Sequence, residues 1–419
     1  MKCFMLKKYF RDRQEDSASL QVCIFMAICV LTSLLSGVYA DFTPINGTFQ
    51  NFNPVRRLLA GQIPCRDFYD YLGFGHLYIG TVTTYLFGNN YRVSRIAFSF
   101  LSMLGLGLFS LMLSYCITRD KKKSFVISNF ILCLSVSGQY LAEIPILGTL
   151  FYCLRFAGSY GNSARTTRAI VILFVPLLLY FILKIAKERK FIKSILVGVV
   201  AGVAFPFSND YGISCTLCLL CMFLWELICE RCQFKDILFR ILLALSATVV
   251  GTYVSVQILS VGHFTEWLKL TFGTGNFQSW YYISPKSYYI YDLELTKLNI
   301  LQVCLIIYYL WKMYRSKGSM SGVFRYGVPA FLNLAALTVV QQYRLFSGGS
   351  SRELSVCIIF VTCLAEIVNK MHIKERLLKC CYSLSTCVSL LMVCSLAGMW
   401  LYMGGNLQNT AFIEELGGC

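Results

Sequence analysis

The chain has 419 residues, of which 57% are hydrophobic and only 14% charged. Soluble domains carry about 25% charged residues, so composition excludes an ordinary water-soluble domain. The formal net charge of +17 would point to nucleic acid in a soluble protein, but beside so many apolar runs it is expected from Lys and Arg collected on the cytoplasmic side of a membrane. The sequence therefore predicts an all-α, polytopic helical membrane protein with no nucleic-acid partner.

Residues 1–19 form a basic segment expected in the cytoplasm. Leu20 to Ala40 follows, 21 residues without a charge, enough to span. It ends in Val38-Tyr39-Ala40, which could pass for a signal-peptidase site. Retention is favoured, because the preceding segment is long and contains acids. Either outcome leaves Asp41 outside.

The stretch from Asp41 to Arg95 follows the first hydrophobic segment and precedes the second, and the chain is organised around it. It holds Asp41, Asp67 and Asp70 with Arg56, Arg57, Arg66, Arg92 and Arg95. Such groups are costly against a bilayer unless they serve a task. The apolar run Leu72 to Gly88 is short and interrupted by Gly73, Gly75, His76 and Gly80, so it is expected along the interface. Charge supports that choice. If the run does not cross, 25 of the 38 Lys and Arg fall inside and 13 outside; if it crosses, the split becomes 15 and 23. The positive-inside rule selects the first.

Eleven spans follow: Leu20–Ala40, Ile96–Thr118, Phe125–Leu141, Ala169–Ala186, Ile192–Phe207, Tyr211–Ile228, Ile237–Val261, Leu298–Tyr314, Phe324–Tyr343, Leu354–Asn369 and Tyr382–Met403. The N-terminus is expected inside and the C-terminus outside, in a plasma membrane. The outer regions are then the 41–92 loop, Glu143 to Arg168, the turn Ser208-Asn209-Asp210, the aromatic loop 262–297, Leu345 to Glu353 and a tail, 404–419. That tail could open a further domain. Residues 20–403 form the membrane domain.

Inside there are 16 Lys and 9 Arg; outside there are 3 Lys and 10 Arg. Lys inside is ordinary topogenic charge. Arg outside needs another reason, and its planar fork suits phosphate oxygens. Arg92, Arg95, Arg155, Arg165, Arg344 and Arg352 are the candidate phosphate contacts, and Arg66 is a further candidate in the substrate site. Trp280 and Tyr281 in the aromatic loop offer faces for a sugar or polyprenyl chain, or form an interfacial belt. Asp210 is either a helix N-cap or a substrate contact. His76 and His263 read as structural, and Glu226 and Glu366 are expected to reach the interface. Asn46-Gly47-Thr48 is a glycosylation sequon.

The 20 cysteines mostly stand singly in apolar runs and read as packing residues. Cys215 and Cys218 form a C-x-x-C without a second pair, so no zinc site is expected. No P-loop, dinucleotide motif or internal repeat is present.

The stretch NPVRRLLAGQIPCRDFYDYLGFGHLY resembles the first extracytoplasmic loop of the GT-C class of polytopic glycosyltransferases. Those enzymes take sugar from a polyprenyl-phosphate or related lipid. The family pattern is an acid after the first span, an amphipathic helix ending in a small-residue turn, a further acid, and a Gly- or Pro-rich turn. Here Asp41, Asn53 to Ala60, Gly61, Asp67 with Asp70, and Gly73-Phe74-Gly75 look like those elements. Phe87-Gly88 to Arg95 is similar to the family's entry into the second span. The detailed resemblance covers roughly residues 38–118. Phe74 stands where relatives often have proline, and Asp41 stands alone where an acid pair is common.

The resemblance implies a glycosyltransferase with Asp41 as catalytic carboxylate and Asp67 as second candidate, Asp70 lying nearby in the substrate site. It implies a polyprenyl-phosphate-linked sugar donor and a glycan, lipid or protein acceptor. No cofactor is required on this reading, and no residues argue for a divalent metal. A carboxylate can act as base, arginines can neutralise charge on the leaving phosphate, and one-step displacement inverts the anomeric centre. A transporter or flippase would instead show paired broken helices and repeat symmetry. A polysaccharide polymerase or ligase would place its key residues in a late large loop.

Overall fold

The computed structural model describes residues 2–38, 47–70, 72–88, 90–141, 150, 153–154, 165–185, 189–272, 293–316, 319–347, 352–370 and 375–404. Among them the chain is helical, with one isolated bridge between Pro64 and Phe68. In order the helices are α1 (Lys2–Val38), α2 (Gly47–Leu59), α3 (Phe74–Phe87), α4 (Tyr91–Thr118), α5 (Lys121–Leu141), α6 (Arg165–Ile185), α7 (Lys190–Phe207), α8 (Tyr211–Cys229) and α9 (Phe234–Leu259). They continue as α10 (Phe264–Phe272), α11 (Leu293–Arg315), α12 (Met320–Gly322), a π-helical turn (Val323–Gly327), α13 (Val328–Ser347), α14 (Arg352–Lys370) and α15 (Glu375–Gly404).

Seven stretches among the described residues are long and apolar enough to cross a membrane: Ser19–Gly37, Tyr91–Thr118, Lys190–Phe207, Tyr211–Cys229, Phe234–Leu259, Val323–Gln341 and Tyr382–Tyr402. The other four expected spans coincide with α5, α6, α11 and α14. These are also helices, but polar residues such as Lys121–Lys123, Arg168, Lys312 and Glu366 dilute their apolar character. Helix α3 has 14 residues, about 21 Å at 1.5 Å per residue. That is too short to cross a hydrocarbon core of about 30 Å.

The chain divides into two compact units. The first comprises Met1–Thr43, Asn90–Tyr160 and Phe360–Cys419. In it α1 packs on α4, α5 and α15. Apolar helices in a bilayer gain little from hydrophobicity against one another, so packing and interhelical hydrogen bonds hold them. Here Asn129 on α5 donates to the Gln21 side chain on α1 at 2.8 Å, and Gln21 donates to Thr386 on α15 at 2.8 Å. Ser128 donates to the Gly107 carbonyl of α4 at 2.7 Å.

The second unit comprises Pro44–Asn89 and Gly161–Ile359. Its centre is the trio α7, α8 and α9. The turns between them, 208–210 and 230–233, are short, so the helices alternate in direction. Gly198 and Gly202 let α7 lie directly on α9. A Cβ at Gly198 would sit 2.2 Å from the Ala244 carbonyl oxygen, and one at Gly202 would sit 2.4 Å from that of Thr248. This is the small-xxx-small spacing that brings membrane helices into backbone contact.

Candidate active site at one end of the second unit

Helix α2 ends at Leu59, and Gly61 turns the chain at φ 79°. The following loop is knitted by local contacts. Arg57 donates to the Gln62 side chain at 2.6 Å and to the Asp67 carbonyl at 2.8 Å, with its guanidinium 5.0 Å from the centre of the Phe68 ring. Asp67 accepts from the Ile63 amide at 2.7 Å and from Arg66 at 3.0 and 2.9 Å. Arg66 first, and then the Ile63 amide, hold the Asp67 carboxyl down at about 2. Both oxygens of this predicted site residue are occupied, and a carboxyl held that low is a weak base near neutral pH. Burial pushes the Cys65 thiol up to about 12, so it stays protonated and inert.

Asp70 is different. Its Oδ1 accepts from the Leu72 amide at 3.0 Å, while Oδ2 lies 3.0 Å from His76 Nε2 at the start of α3. The His76 side chain is wholly buried and that of Asp70 is 4% exposed. Gly73 makes this packing possible. Its φ is 106°, and a Cβ there would meet the Ser208 Cα at 2.6 Å. The chain thus lies flat on the α7–α8 turn, where the Asn209 amide donates to the Leu72 carbonyl at 3.3 Å.

The same turn collects the next groups. Asn209 donates to the Tyr69 hydroxyl at 3.1 Å, and that hydroxyl lies 3.1 Å from Thr271 on α10. Burial pushes the Tyr69 phenol up to about 12, so it keeps its proton. Asp210 caps α8 by accepting from the Tyr211 amide at 2.8 Å. It also accepts from Ser208 and pairs with Arg168 of α6, which is 3% exposed and sits 5.3 Å from the centre of the Tyr211 ring. Of the two readings of Asp210, the helix cap is the one seen here. Tyr78 donates to the Leu259 carbonyl at the end of α9. Beneath lies an aromatic floor, with Trp267 packed edge-on against Phe205 at 6.0 Å and Phe272 at 6.0 Å.

The structure thus brings Asp67, Asp70, Arg66 and Asp210 to one end of the second unit. Arg92 and Arg95 lie on α4 in the other unit. Asp41, Arg155, Trp280 and Tyr281 fall outside the described residues, as does Asn46 of the sequon. Arg165, Arg344 and Arg352 lie on α6, α13 and α14, with side chains outside the described set. Sequence reasoning missed Arg168 and passed over His76. Arg168 is one helical turn beyond Arg165, and residues three apart share a helix face, so its spacing from a named candidate was the signal that could have found it. Among the described residues no three His, Cys, Asp or Glu are grouped to hold a metal ion.

The opposite end of the trio carries a second polar cluster. Lys193 meets Glu226 at 2.6 Å and Glu230 at 3.1 Å, and Arg240 meets Glu230 at 3.3 Å. Glu226 is therefore buried in an ion pair, three residues before the end of α8. Beside it a cavity of about 60 Å³ is lined by Pro176, Met222, Phe223, Glu226, Phe324 and Phe331. The π-turn 323–327 forms one wall. This cavity has a single carboxylate in its lining and lies away from the loop chemistry.

No protein-family model matches the chain, and no match to it was found among curated proteins or solved structures. The resemblance of the first loop stands on its own residues.

Proposed function

We propose that the protein is an inverting membrane glycosyltransferase, moving a sugar from a polyprenyl-phosphate-type donor to an acceptor outside the cytoplasm. One observation carries this reading. Asp70, His76, Arg168 and Asp210 come from three distant stretches of sequence and meet at one end of an apolar helical unit, above an aromatic floor. That arrangement suits a reaction in which a lipid-borne sugar meets a polar acceptor at the membrane surface, since holding both in place supplies much of the rate.

In this reading the eleven-span topology applies, with the loop end outside and the Lys193–Glu226 end in the cytoplasm. An acid of the first loop is the base, Asp41 and Asp67 being the candidates that the family resemblance supplies. Outer arginines receive the donor phosphate. Membrane lipids surround the helices, and the GT-C class is the family proposed.

The test is a screen of the purified full-length protein in detergent or nanodiscs. The donors are polyprenyl-phosphate-linked mannose, glucose and arabinose, and released polyprenyl phosphate is measured. Turnover of one donor above a heat-killed control is the expected result. Absence of turnover with all of them, in protein shown to be folded, would remove the reading.

A further inference from the structure

The cavity beside the Lys193–Glu226 pair is walled by α6, α7, α8, α11, the π-turn and α13. Its volume of about 60 Å³ is several times the roughly 10–15 Å³ that one water needs. Glu226 is the only polar side chain among its described lining residues, and Leu219, Met222, Phe223, Met313 and Phe331 represent the rest. A bound water needs roughly two to four polar partners, whereas apolar cavities stay dry and accept hydrocarbon. The carboxylate also has bonding capacity left. Lys193 donates to Glu226 Oε1 at 2.6 Å, and Oε2 receives no hydrogen bond among the described residues.

The cavity has a mouth and a direction. Among the described lining residues Val323, on the π-turn, alone is partly exposed, so the cavity reaches the surface there. Single π-turns of this kind are frequent at functional sites. Gly327 leaves the same wall bare: a Cβ there would lie 3.4 Å from Met313 Sδ and 3.8 Å from Met222 Cε, both of which line the cavity. Lys193, Glu226 and Val323 lie near the ends of α7 and α8 and the start of the π-turn. Leu219 is seven residues further into α8 than Glu226, about 10 Å at 1.5 Å per residue. The polar group is therefore beside the mouth and the apolar depth runs into the helical unit. A lipid in a bilayer is ordered the same way, with its head at the surface and its chain inward.

We propose that this cavity is a binding site for a single-chain lipid with an uncharged hydroxyl head, a long-chain alcohol, which enters from the bilayer at the π-turn. The hydroxyl donates to Glu226 Oε2, and the first carbons of the chain lie against Leu219, Met222 and Phe331. The small volume admits one chain. The head is uncharged because Lys193 already offsets Glu226 at 2.6 Å, and a further charge taken out of water without a partner is costly. One placed polar group in an apolar concavity is a common form of small-ligand site. Such a site is independent of glycosyl transfer and needs only that the chain lie in a membrane.

The experiment uses the full-length protein in phosphatidylcholine nanodiscs with a trace of a diazirine-bearing fatty alcohol. After irradiation, labelled peptides are mapped by mass spectrometry. Expected is labelling within 219–226 and 323–331, the stretches that line the cavity. Unlabelled fatty alcohol should compete it away, while an alkane, an alkylammonium or an alkyl phosphate of equal length should not. Gly327→Ala and Gly327→Val place methyl groups in the cavity and should lower the labelling stepwise, in protein that thermal unfolding shows to be folded. The double variant Lys193→Met with Glu226→Leu removes the acceptor without stranding a charge, and in it the alkane should compete as well as the alcohol. Labelling confined to exposed Leu242, Val249 and Leu391, unchanged labelling in both Gly327 variants, or equal competition by the alkane in the wild type overturns the site. Stronger competition by the alkylammonium overturns the uncharged head.

Discussion

At one end of the α7–α8–α9 trio, Lys193 lies 2.6 Å from Glu226 and 3.1 Å from Glu230, and Arg240 adds a second cation. At the other end, about 27 Å away along the 18 residues of α7, Asp70 Oδ2 and His76 Nε2 lie 3.0 Å apart, both side chains buried. The first cluster closes its charges on itself. Cations and carboxylates interleave, so each buried charge has a partner of opposite sign. In the second cluster Asp70 Oδ2 and both His76 ring nitrogens make no aligned hydrogen bond among the described residues, beside a turn that holds them still. The difference teaches that burial of charge alone does not mark a site. What marks it is burial with unspent bonding capacity, placed on backbone that other contacts have fixed.

Breaking the closed end should have the largest effect on stability. Lys193→Met strands the Glu226 carboxylate, whose side chain is 6% exposed, and removal of one partner of a buried pair costs about 3–5 kcal/mol. Thermal unfolding in nanodiscs would measure it. The double variant Lys193→Met with Glu226→Leu should recover most of that loss, because both desolvation penalties then vanish. A single variant as stable as wild type would show that water already screens this end.

Disturbing the platform of the open end should cost less stability and more activity. Gly73→Ala forces a Cβ against the Ser208 Cα at 2.6 Å with φ at 106°, and backbone strain of this kind costs about 1–3 kcal/mol. Lifting the loop off the turn should also misplace Asp70, so donor turnover should fall by more than the loss of folded protein explains. Equal falls in folded fraction and turnover would deny the platform any role beyond stability.

The smallest effect is expected at Asp67, where folding holds the carboxyl below its ordinary value of 3.8, at about 2. The sign follows from linkage. A depressed carboxyl adds stability that is present above about pH 4 and lost as pH falls towards 2. Hydrogen exchange at the Ile63 amide, which donates to Asp67 at 2.7 Å, should quicken over that window. Exchange at the Asn209 amide, which donates to the Leu72 carbonyl at 3.3 Å, serves as the control. A flat Ile63 profile between pH 4 and 2 would show that the Arg66 pair does not knit the loop.

Much of the architecture was legible without coordinates. Long uncharged runs forecast membrane helices, because each backbone amide in hydrocarbon must find its partner within the helix. Seven stretches among the described residues are long and apolar enough to cross, each overlapping an expected span, and the short, glycine-broken run after Leu72 became a 14-residue helix. The richness of the 41–92 loop in charge was likewise plain, since polar residues beside a bilayer are rare enough to stand out.

Which of those charges remain available was decided by tertiary structure. In the sequence Asp67 and Asp70 look alike, three residues apart. Folding spends Asp67 on Arg66 and Ile63, and sets Asp70 against His76 on the turn at Ser208. Arg168 meets Asp210 from 42 residues away, and Asn129 meets Gln21 from 108 away, distances that no local pattern encodes. Sequence alone fixes polarity and helical periodicity because these act within a few residues. The sharing out of hydrogen bonds depends on which distant backbones touch, as at Gly73, Gly198 and Gly202, and that depends on the packing of whole helices.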